Sequence, residues 1–372
     1  MVGEISMSRY QVRRDKFRRH FKKEGADCFL VTNFTNVTYL SGFTGDDSFL
    51  LFLPDRELVL SDPRYTTQLQ QECPDLELEI RSPGTAMFKS IQKVLRGVKS
   101  RGIGFESGSM SVHMHGHLGE EVPGVEWVPC NGLIEILRMV KDREEVQAIR
   151  DAVAMAQRAF AVARSGLRGE ETERAVAHGL ESQIRLFGGR GCSFPPIVAT
   201  GPRAALPHAT PESIPIESHG LLLIDWGADG PDGYKSDLTR VLVTGKISPK
   251  LERVYRLVLK AQERAIRAIR PGVLCSAVDA AARKVIAAAG FGKYFGHGLG
   301  HGIGLDIHEG PRLAGGCDRP LRAGMVVTVE PGVYLPGVGG VRIEDDVLVT
   351  RDGHTVLSDV PKEWDDVHAE LG

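Results

Sequence analysis

Net charge is what this chain most lacks. Its 46 basic and 48 acidic residues leave a formal charge of −2 over 372 residues, which argues against a nucleic-acid or other polyanion partner. The one basic cluster, Arg13, Arg14, Lys16, Arg18, Arg19, Lys22 and Lys23, is local and reads as the solvated face of an N-terminal helix. Cysteine is sparse as well. Cys28, Cys73, Cys130, Cys192, Cys275 and Cys317 lie far apart with no C-x-x-C pair, as expected of buried free thiols in a reducing compartment. No uninterrupted apolar run reaches the ~20 residues of a membrane span. The opening Met-Val-Gly-Glu leads into a charged helix rather than a secretory apolar core. The expectation is a cytoplasmic protein with no membrane partner. Ser193 and Ser236 lack a His and an Asp in triad order, so serine chemistry is not expected.

What is present suits two domains, since 372 residues exceed one ordinary domain. Residues 8–24 fit an amphipathic helix with Tyr10, Phe17 and Phe21 on one side. Strand-like runs at 28–31, 49–53, 58–60, 77–81, 102–105 and 125–129 alternate with helical stretches at 64–73 and 85–97. Such alternation predicts an α/β layer domain over residues 1–136. Over 137–372 the pattern changes to helices at 142–167, 172–187, 248–270 and 276–289. Asp142 is placed to cap the first of these, with acids in its first turn. Strands are expected at 193–200, 221–226, 234–243, 325–335 and 340–349, giving an α+β domain with a mostly antiparallel sheet. A helix pair followed by strands occurs twice, a hint of internal duplication.

Chemistry concentrates in this second half. The strand Leu221-Leu222-Leu223-Ile224 ends on Asp225, and a charge rarely enters such a run without a partner. A turn-forming stretch, Ala228 to Gly233, returns the chain to Asp237 and sets it beside Asp225 on a neighbouring strand. Like charges on paired strands destabilise unless a cation intervenes. Gly296-His297-Gly298-Leu299-Gly300-His301-Gly302 continues to His308, with glycines at alternate positions that permit close backbone or ligand approach. Glu330 and Glu344 occupy β-branched strand runs, where each alone would read as a buried acid paired with an arginine such as Arg342. Together, Asp225, Asp237, His301, Glu330 and Glu344 form a donor set for two divalent cations side by side, the arrangement that activates water in hydrolases. Hard oxygen donors with one imidazole favour manganese, with cobalt or zinc as alternatives. The tract His113-x-His115-x-His117 reads as a partly exposed decoy.

These phrases, with Gly-Tyr-x-Ser-Asp-x-Thr-Arg at 233–240, Glu330-Pro-Gly and Arg342-Ile-Glu-Asp, resemble the pita-bread metallopeptidases, above all the Xaa-Pro aminopeptidases and Xaa-Pro dipeptidases, or prolidases. Asn36-Val37-Thr38-Tyr39-Leu40-Ser41-Gly42 and Asp62-Pro63-Arg64-Tyr65 resemble their creatinase-type N-terminal domain. The two aspartates stand twelve apart, one more than is usual in the family, and the turn at 230–233 is the place to absorb it.

The resemblance implies a curved, mostly antiparallel sheet flanked by helices with pseudo-two-fold duplication. It also implies that Asp225 binds one metal, that Asp237 and Glu344 bridge both, and that His301 and Glu330 complete the second. Glu330 would serve as general base; His308 and His208 would stabilise charge on the substrate; His297 would contact substrate; and Arg342 would orient Glu344 or the substrate. The implied substrates are peptides with proline second, cleaved by a homodimer. The phrases Gly42-Phe43-Thr44-Gly45 and Asp62-x-Arg64-Tyr65 lean toward aminopeptidase over dipeptidase. A non-peptidase enzyme or a catalytically silent binding module on the same scaffold is the remaining alternative.

Overall fold

In the computed structural model, which describes residues 8–372, the chain divides into two compact units between Arg138 and Met139. The first contains α1 (Arg9–Phe21), β1 (Cys28–Val31), α2 (Phe34–Ser41), β2 (Phe49–Phe52), β3 (Glu57–Ser61), α3 (Thr66–Glu72), β4 (Glu77–Ile80), α4 (Met87–Leu95), β5 (Gly102–Glu106), α5 (Val112–Glu121), β6 (Glu126–Cys130) and α6 (Leu133–Arg138). Its six strands form one sheet in the order β4-β3-β2-β1-β5-β6. The pairs β1/β5, β5/β6 and β3/β4 are parallel, whereas β2 runs antiparallel to both neighbours. The aromatic stripe of α1 seals one face: Phe17 meets Phe29 at 4.8 Å and Phe52 at 5.2 Å between ring centroids, both edge to face.

The basic face of α1 corrects an expectation. Lys16, Arg19, Lys22 and Lys23 are exposed, but Arg13 and Arg14 are buried. Arg13 donates to Tyr39 O at 3.0 Å, and Arg14 to Leu40 O at 3.1 Å and to Glu57 Oε2 at 2.7 Å. Those carbonyls belong to the last turn of α2, where backbone acceptors have no intrahelical partner. A guanidinium with five donors can satisfy them together with a carboxylate, so burial is tolerated here where an ammonium would be stranded. Helix α2 escapes a pattern reading because its Thr- and Asn-rich sequence is a poor helix former. It is held by its ends, with the Asn33 side chain accepting from Thr35 N and Gly42 turning out at φ 84°. Helix α5 carries the histidine tract. His113 and His117 stand one turn apart with ring centroids at 4.5 Å, and among the described residues no third ligand joins them.

The second unit begins with α7 (Arg143–Ser165) and α8 (Glu173–Leu186). Asp142 caps α7 as expected, and Glu145 completes a capping box. There follow β7 (Gly191–Cys192), β8 (Ile197–Thr200), β9 (Leu221–Trp226), β10 (Ala228–Asp229) and β11 (Leu238–Val243). A second helix pair, α9 (Pro249–Ile266) and α10 (Cys275–Ala288), precedes β12 (Gly300–Gly302), β13 (Glu309–Leu313), β14 (Val326–Val329), β15 (Gly332–Leu335), β16 (Gly339–Arg342), β17 (Asp345–Val349) and β18 (His354–Val356). The strands pair as β11-β9-β8 and β13-β12-β14-β17-β18, with β15-β16 and β10-β7 as separate ribbons, and every pairing between these strands is antiparallel.

The expected strands 325–335 and 340–349 are each broken, at Glu330-Pro331 and at Ile343-Glu344. Pro331 has no N–H to give a ladder. The register is nonetheless continuous across the break: Val329 pairs with Asp345 before it and Gly332 with Arg342 after it. Glu330 therefore lies across from Glu344. No helix among the described residues is long and apolar enough to cross a membrane.

Behind Glu344, the buried Asp345 accepts from Arg240 Nη2 at 2.7 Å, Ser358 Oγ at 2.6 Å and Gln262 Nε2 at 2.8 Å, with Lys362 Nζ also in contact. Burial pushes its pKa up, but Arg240 and Lys362 outweigh this and hold it down at about 2. A carboxyl whose folded value lies below the unfolded one, near ~4, stabilises fully above that value and loses its contribution as the pH falls toward the folded one. Asp345→Asn should therefore flatten the acid limb of stability between about pH 4 and 2 and cost ~2 kcal/mol or more at neutral pH. Urea denaturation across that pH range reads this; an acid limb as steep as the wild type's would contradict it.

Candidate metal centre

Thr239 organises the site. Its backbone pairs with Asp225 on one side and with Glu344 on the other, so three strand positions stand abreast. Asp237, two residues before Thr239, shares its face of the strand. Asp225 and Asp237 are thus diagonal neighbours rather than directly opposed. The hairpin joining them closes through Gly230, whose N donates to Tyr234 O at 2.8 Å and whose O accepts from Gly233 N at 2.9 Å. Gly233 adopts φ 80°, as a three-residue loop of this kind requires.

The glycine-rich run brings His301 to the same place. A Cβ at Gly300 would lie 2.1 Å from Thr328 O, and one at Gly302 2.0 Å from Gly310 O. The alternate glycines therefore let β12 press against its neighbours, with His301 projecting between them. Ligand atoms of Asp237, His301 and Glu344 all lie within 4.8 Å of one another. Glu330 Oε1 is 3.4 Å, and Asp237 Oδ2 3.5 Å, from His301 Nε2.

Electrostatics argues that something is meant to lie between these groups. His301 Nδ1 faces the carbonyl of Gly302 at 3.0 Å. A carbonyl only accepts, so Nδ1 carries the proton and the Nε2 lone pair points at the two carboxylates. Burial pushes the imidazole down to about 4, so the ring itself stays neutral at neutral pH. Glu330 is raised to about 8 by burial and by Asp225, against the opposing pull of Arg342. Asp237 is raised well above its ordinary value by burial, then by Glu344, Asp225 and Glu330. Glu344 is raised by burial, Glu330 and Asp225. Asp225 Oδ1 and Glu344 Oε1 are buried without a hydrogen-bond partner, a costly state for an isolated acceptor. Orphaned oxygens, crowded carboxylates and an unprotonated imidazole nitrogen fit hard divalent cations.

Around this core, the sequence-predicted residues take different places. Arg342, expected to orient Glu344 or the substrate, is buried and turned toward Asp225 Oδ2 instead. It also donates to Thr239 Oγ1 at 3.1 Å and to Tyr334 OH at 2.9 Å, and reaches Glu344 only through Thr239, which donates to Glu344 Oε2 at 2.7 Å. His297 has both ring nitrogens engaged, Nδ1 with Gly298 O at 2.8 Å and Nε2 with Tyr334 OH at 2.9 Å, so it has no free nitrogen to offer a substrate. The His308 ring lies edge to face with His301 at 4.4 Å. Its pKa is lowered by burial, then by Arg312 and His208; His208 is itself exposed.

Three contributors were missed in the sequence. Tyr334 bridges His297 and Arg342; a phenol in a buried strand needs such a partner. Thr328 accepts from His301 N at 3.1 Å and donates to Glu330 Oε1 at 3.2 Å. Arg312 is exposed and bears on both His301 and His308; its place two positions along β13 from Gly310 was the available clue.

Comparison with known proteins gives this geometry a context. A family model described as Metallopeptidase family M24 matches residues 147–351, and one described as Creatinase/Prolidase N-terminal domain matches residues 13–140. The chain is 34% identical over 351 residues to the Xaa-Pro dipeptidase of Pyrococcus furiosus, covering 94% of this chain and 99% of that protein. The structure of an Xaa-Pro dipeptidase from Bacillus anthracis superposes with a TM-score of 0.92 at 36% identity, covering 97% of this chain and all (100%) of that one. An X-Pro aminopeptidase from Thermotoga maritima gives a TM-score of 0.85 at 34% identity, covering 95% and 100%.

Because Arg342 is the buried counter-charge of Asp225, Arg342→Leu should destabilise the metal-free protein by ~3–5 kcal/mol, the usual cost of stranding one partner of a buried pair. Denaturant unfolding measures this, and a loss below ~1 kcal/mol would mean that Asp225 is neutralised another way.

Proposed function

Since the chain belongs to metallopeptidase family M24 and carries a Creatinase/Prolidase N-terminal domain, we propose that this peptidase is a metal-dependent Xaa-Pro dipeptidase. The observation that carries the metal dependence is the His301 Nε2 lone pair facing Asp237 and Glu330. Asp225, Asp237, His301, Glu330 and Glu344 would hold two divalent ions, with manganese favoured by the donor set. Once their protons are displaced, the four acids exceed the single guanidinium of Arg342 by three charges; one divalent ion is too few to balance them, and two suffice. When bound, such ions lower the pKa of an attacking water and polarise the scissile carbonyl.

The protein's own groups supply the rest. Glu330 keeps 17% of its side chain exposed and has an easily protonated carboxylate, which suits a group that takes and returns a proton. His308, against His301, and the exposed His208 would donate hydrogen bonds to the oxygen on which charge develops, a contribution of ~3–4 kcal/mol per well-placed donor. Arg342 acts from behind by fixing Asp225, and His297 by fixing Tyr334.

Dipeptidase replaces the aminopeptidase favoured by the sequence phrases for two reasons. The relatives named above include Xaa-Pro dipeptidases at 34% and 36% identity over nearly the whole chain. Arg312 also offers an exposed cation whose charge acts on His308, and a dipeptide's free carboxylate, one residue from the cleaved bond, would be drawn to it. A homodimer is carried forward from the resemblance, and a cytoplasmic location from the scattered cysteines of the sequence.

Two measurements test this. Manganese should raise the thermal midpoint of metal-free protein, and Asp237→Asn should remove both that rise and the hydrolysis of Ala-Pro; activity persisting in chelator would end the metal reading. Arg312→Leu should weaken kcat/KM for Ala-Pro about ten- to a hundredfold, the value of a charge-assisted hydrogen bond. The tripeptide Ala-Pro-Ala should be a poor substrate for the wild type; equal or better cleavage of the tripeptide would restore the aminopeptidase reading.

A further inference from the structure

Lys141 lies two residues before α7, yet its side chain reaches the opposite end of the unit's sequence. Its Nζ meets Glu309 Oε2 at 2.9 Å, with the two side chains 1% and 6% exposed. Its backbone N donates to Gly324 O at 2.8 Å. Just before it, the Met139 side chain packs where a Cβ on Gly310 would stand, 2.3 Å from Met139 Cε. The segment 139–141 is therefore clamped against the start of β13 at two points and against Gly324 at a third.

Glu309 is the residue after His308. Its other oxygen, Oε1, accepts from Asp306 N at 3.1 Å, while Gly304 N donates to Asp306 O at 3.1 Å. A Cβ on Gly304 would come within 2.6 Å of Glu309 Oε1. The turn 304–309 is thus wound around the Glu309 carboxylate, and Glu309 itself pairs with Gly302, next to His301. A buried carboxylate is tolerated only with a well-placed counter-charge, and Lys141 supplies one. The turn's hold on its own carboxylate, and with it the direction in which His308 leaves the backbone, depends on that lysine.

We infer that Lys141 is a positioning residue for His308: through Glu309 it fixes the turn that holds the imidazole beside the metal centre. This rests on the reading of His308 as a substrate-side donor. Lys141 touches neither the five candidate ligands nor the open side of the site, so its removal should alter the chemical step and leave metal uptake intact. Small displacements of a positioned group lower rate by up to about a hundredfold.

The test is steady-state hydrolysis of Ala-Pro by manganese-loaded protein. Lys141→Met should lower kcat about ten- to a hundredfold with KM changed less than about threefold and metal content unchanged, and Lys141→Arg should recover most of the loss. In a His308→Ala background, Lys141→Met should have no further effect on kcat, which a general weakening of the fold would not reproduce. Should Lys141→Met fail to fold, the double variant Lys141→Met/Glu309→Leu removes both buried charges and should show the same loss of kcat. Unchanged kcat in a folded variant, or full additivity with His308→Ala, overturns the inference. A wild type that does not cleave Ala-Pro while cleaving other peptides would instead overturn the dipeptidase reading beneath it.

Discussion

Four carboxylates and one neutral imidazole share a buried space that contains a single guanidinium, and most of the second unit is arranged around that imbalance. An acid can be buried cheaply if it is paired, and Asp225 is, by Arg342. Asp237, Glu330 and Glu344 have no cation paired to them, and Arg342 only partly offsets the burial of Glu330 and Glu344. Their pKa values are raised mainly by burial and by the neighbouring acids, Asp225 among them. His301 offers its lone pair rather than a proton. Without a cation the cluster is a liability, and its donor set is one that divalent ions could complete.

The fold builds this liability from breaks and edges rather than from regular strands. Glu330 and Glu344 occupy the interruption between β14/β17 and β15/β16, where the ladder is absent and side chains from opposed positions can turn together. Thr239 couples that interruption to the hairpin bearing Asp225 and Asp237, through its backbone on both sides and through its hydroxyl to Glu344. Helix α10 reaches the histidine loop from outside: Asp279 accepts from Leu299 N, and Arg283 donates to Phe295 O and His297 O. The candidate ligands come from both halves of the repeated helix-pair-and-strand pattern, so the cluster exists only when the halves are joined.

Much of this was legible in the amino-acid order. The ends of α7 and of β9 followed from Asp142 as a cap and from the apolar run stopping at Asp225. The five candidate ligands stood out because charges interrupted apolar strands or sat among alternating glycines. Less legible was what depends on partners distant in sequence. Arg14 looked solvated until the α2 carbonyls and Glu57 were seen to receive it. Arg342 was two residues from Glu344, yet its head lies against Asp225, because the register of β9 and β11 sets Thr239 between them. The breaks at Glu330-Pro331 and Ile343-Glu344 were hidden in runs of β-branched residues that read as continuous strands. Lys141 and Glu309 are 168 positions apart, and neither shows a motif.

The central claim is that Asp237, Glu330 and Glu344 are easily protonated and give up protons when metal binds. Calorimetric titration of metal-free protein with manganese near pH 7, repeated in buffers of different ionisation enthalpy, counts the ions bound and the protons displaced together. The account predicts saturation at two ions per chain with a net release of protons. Saturable binding without proton release, or no saturable binding, would contradict it.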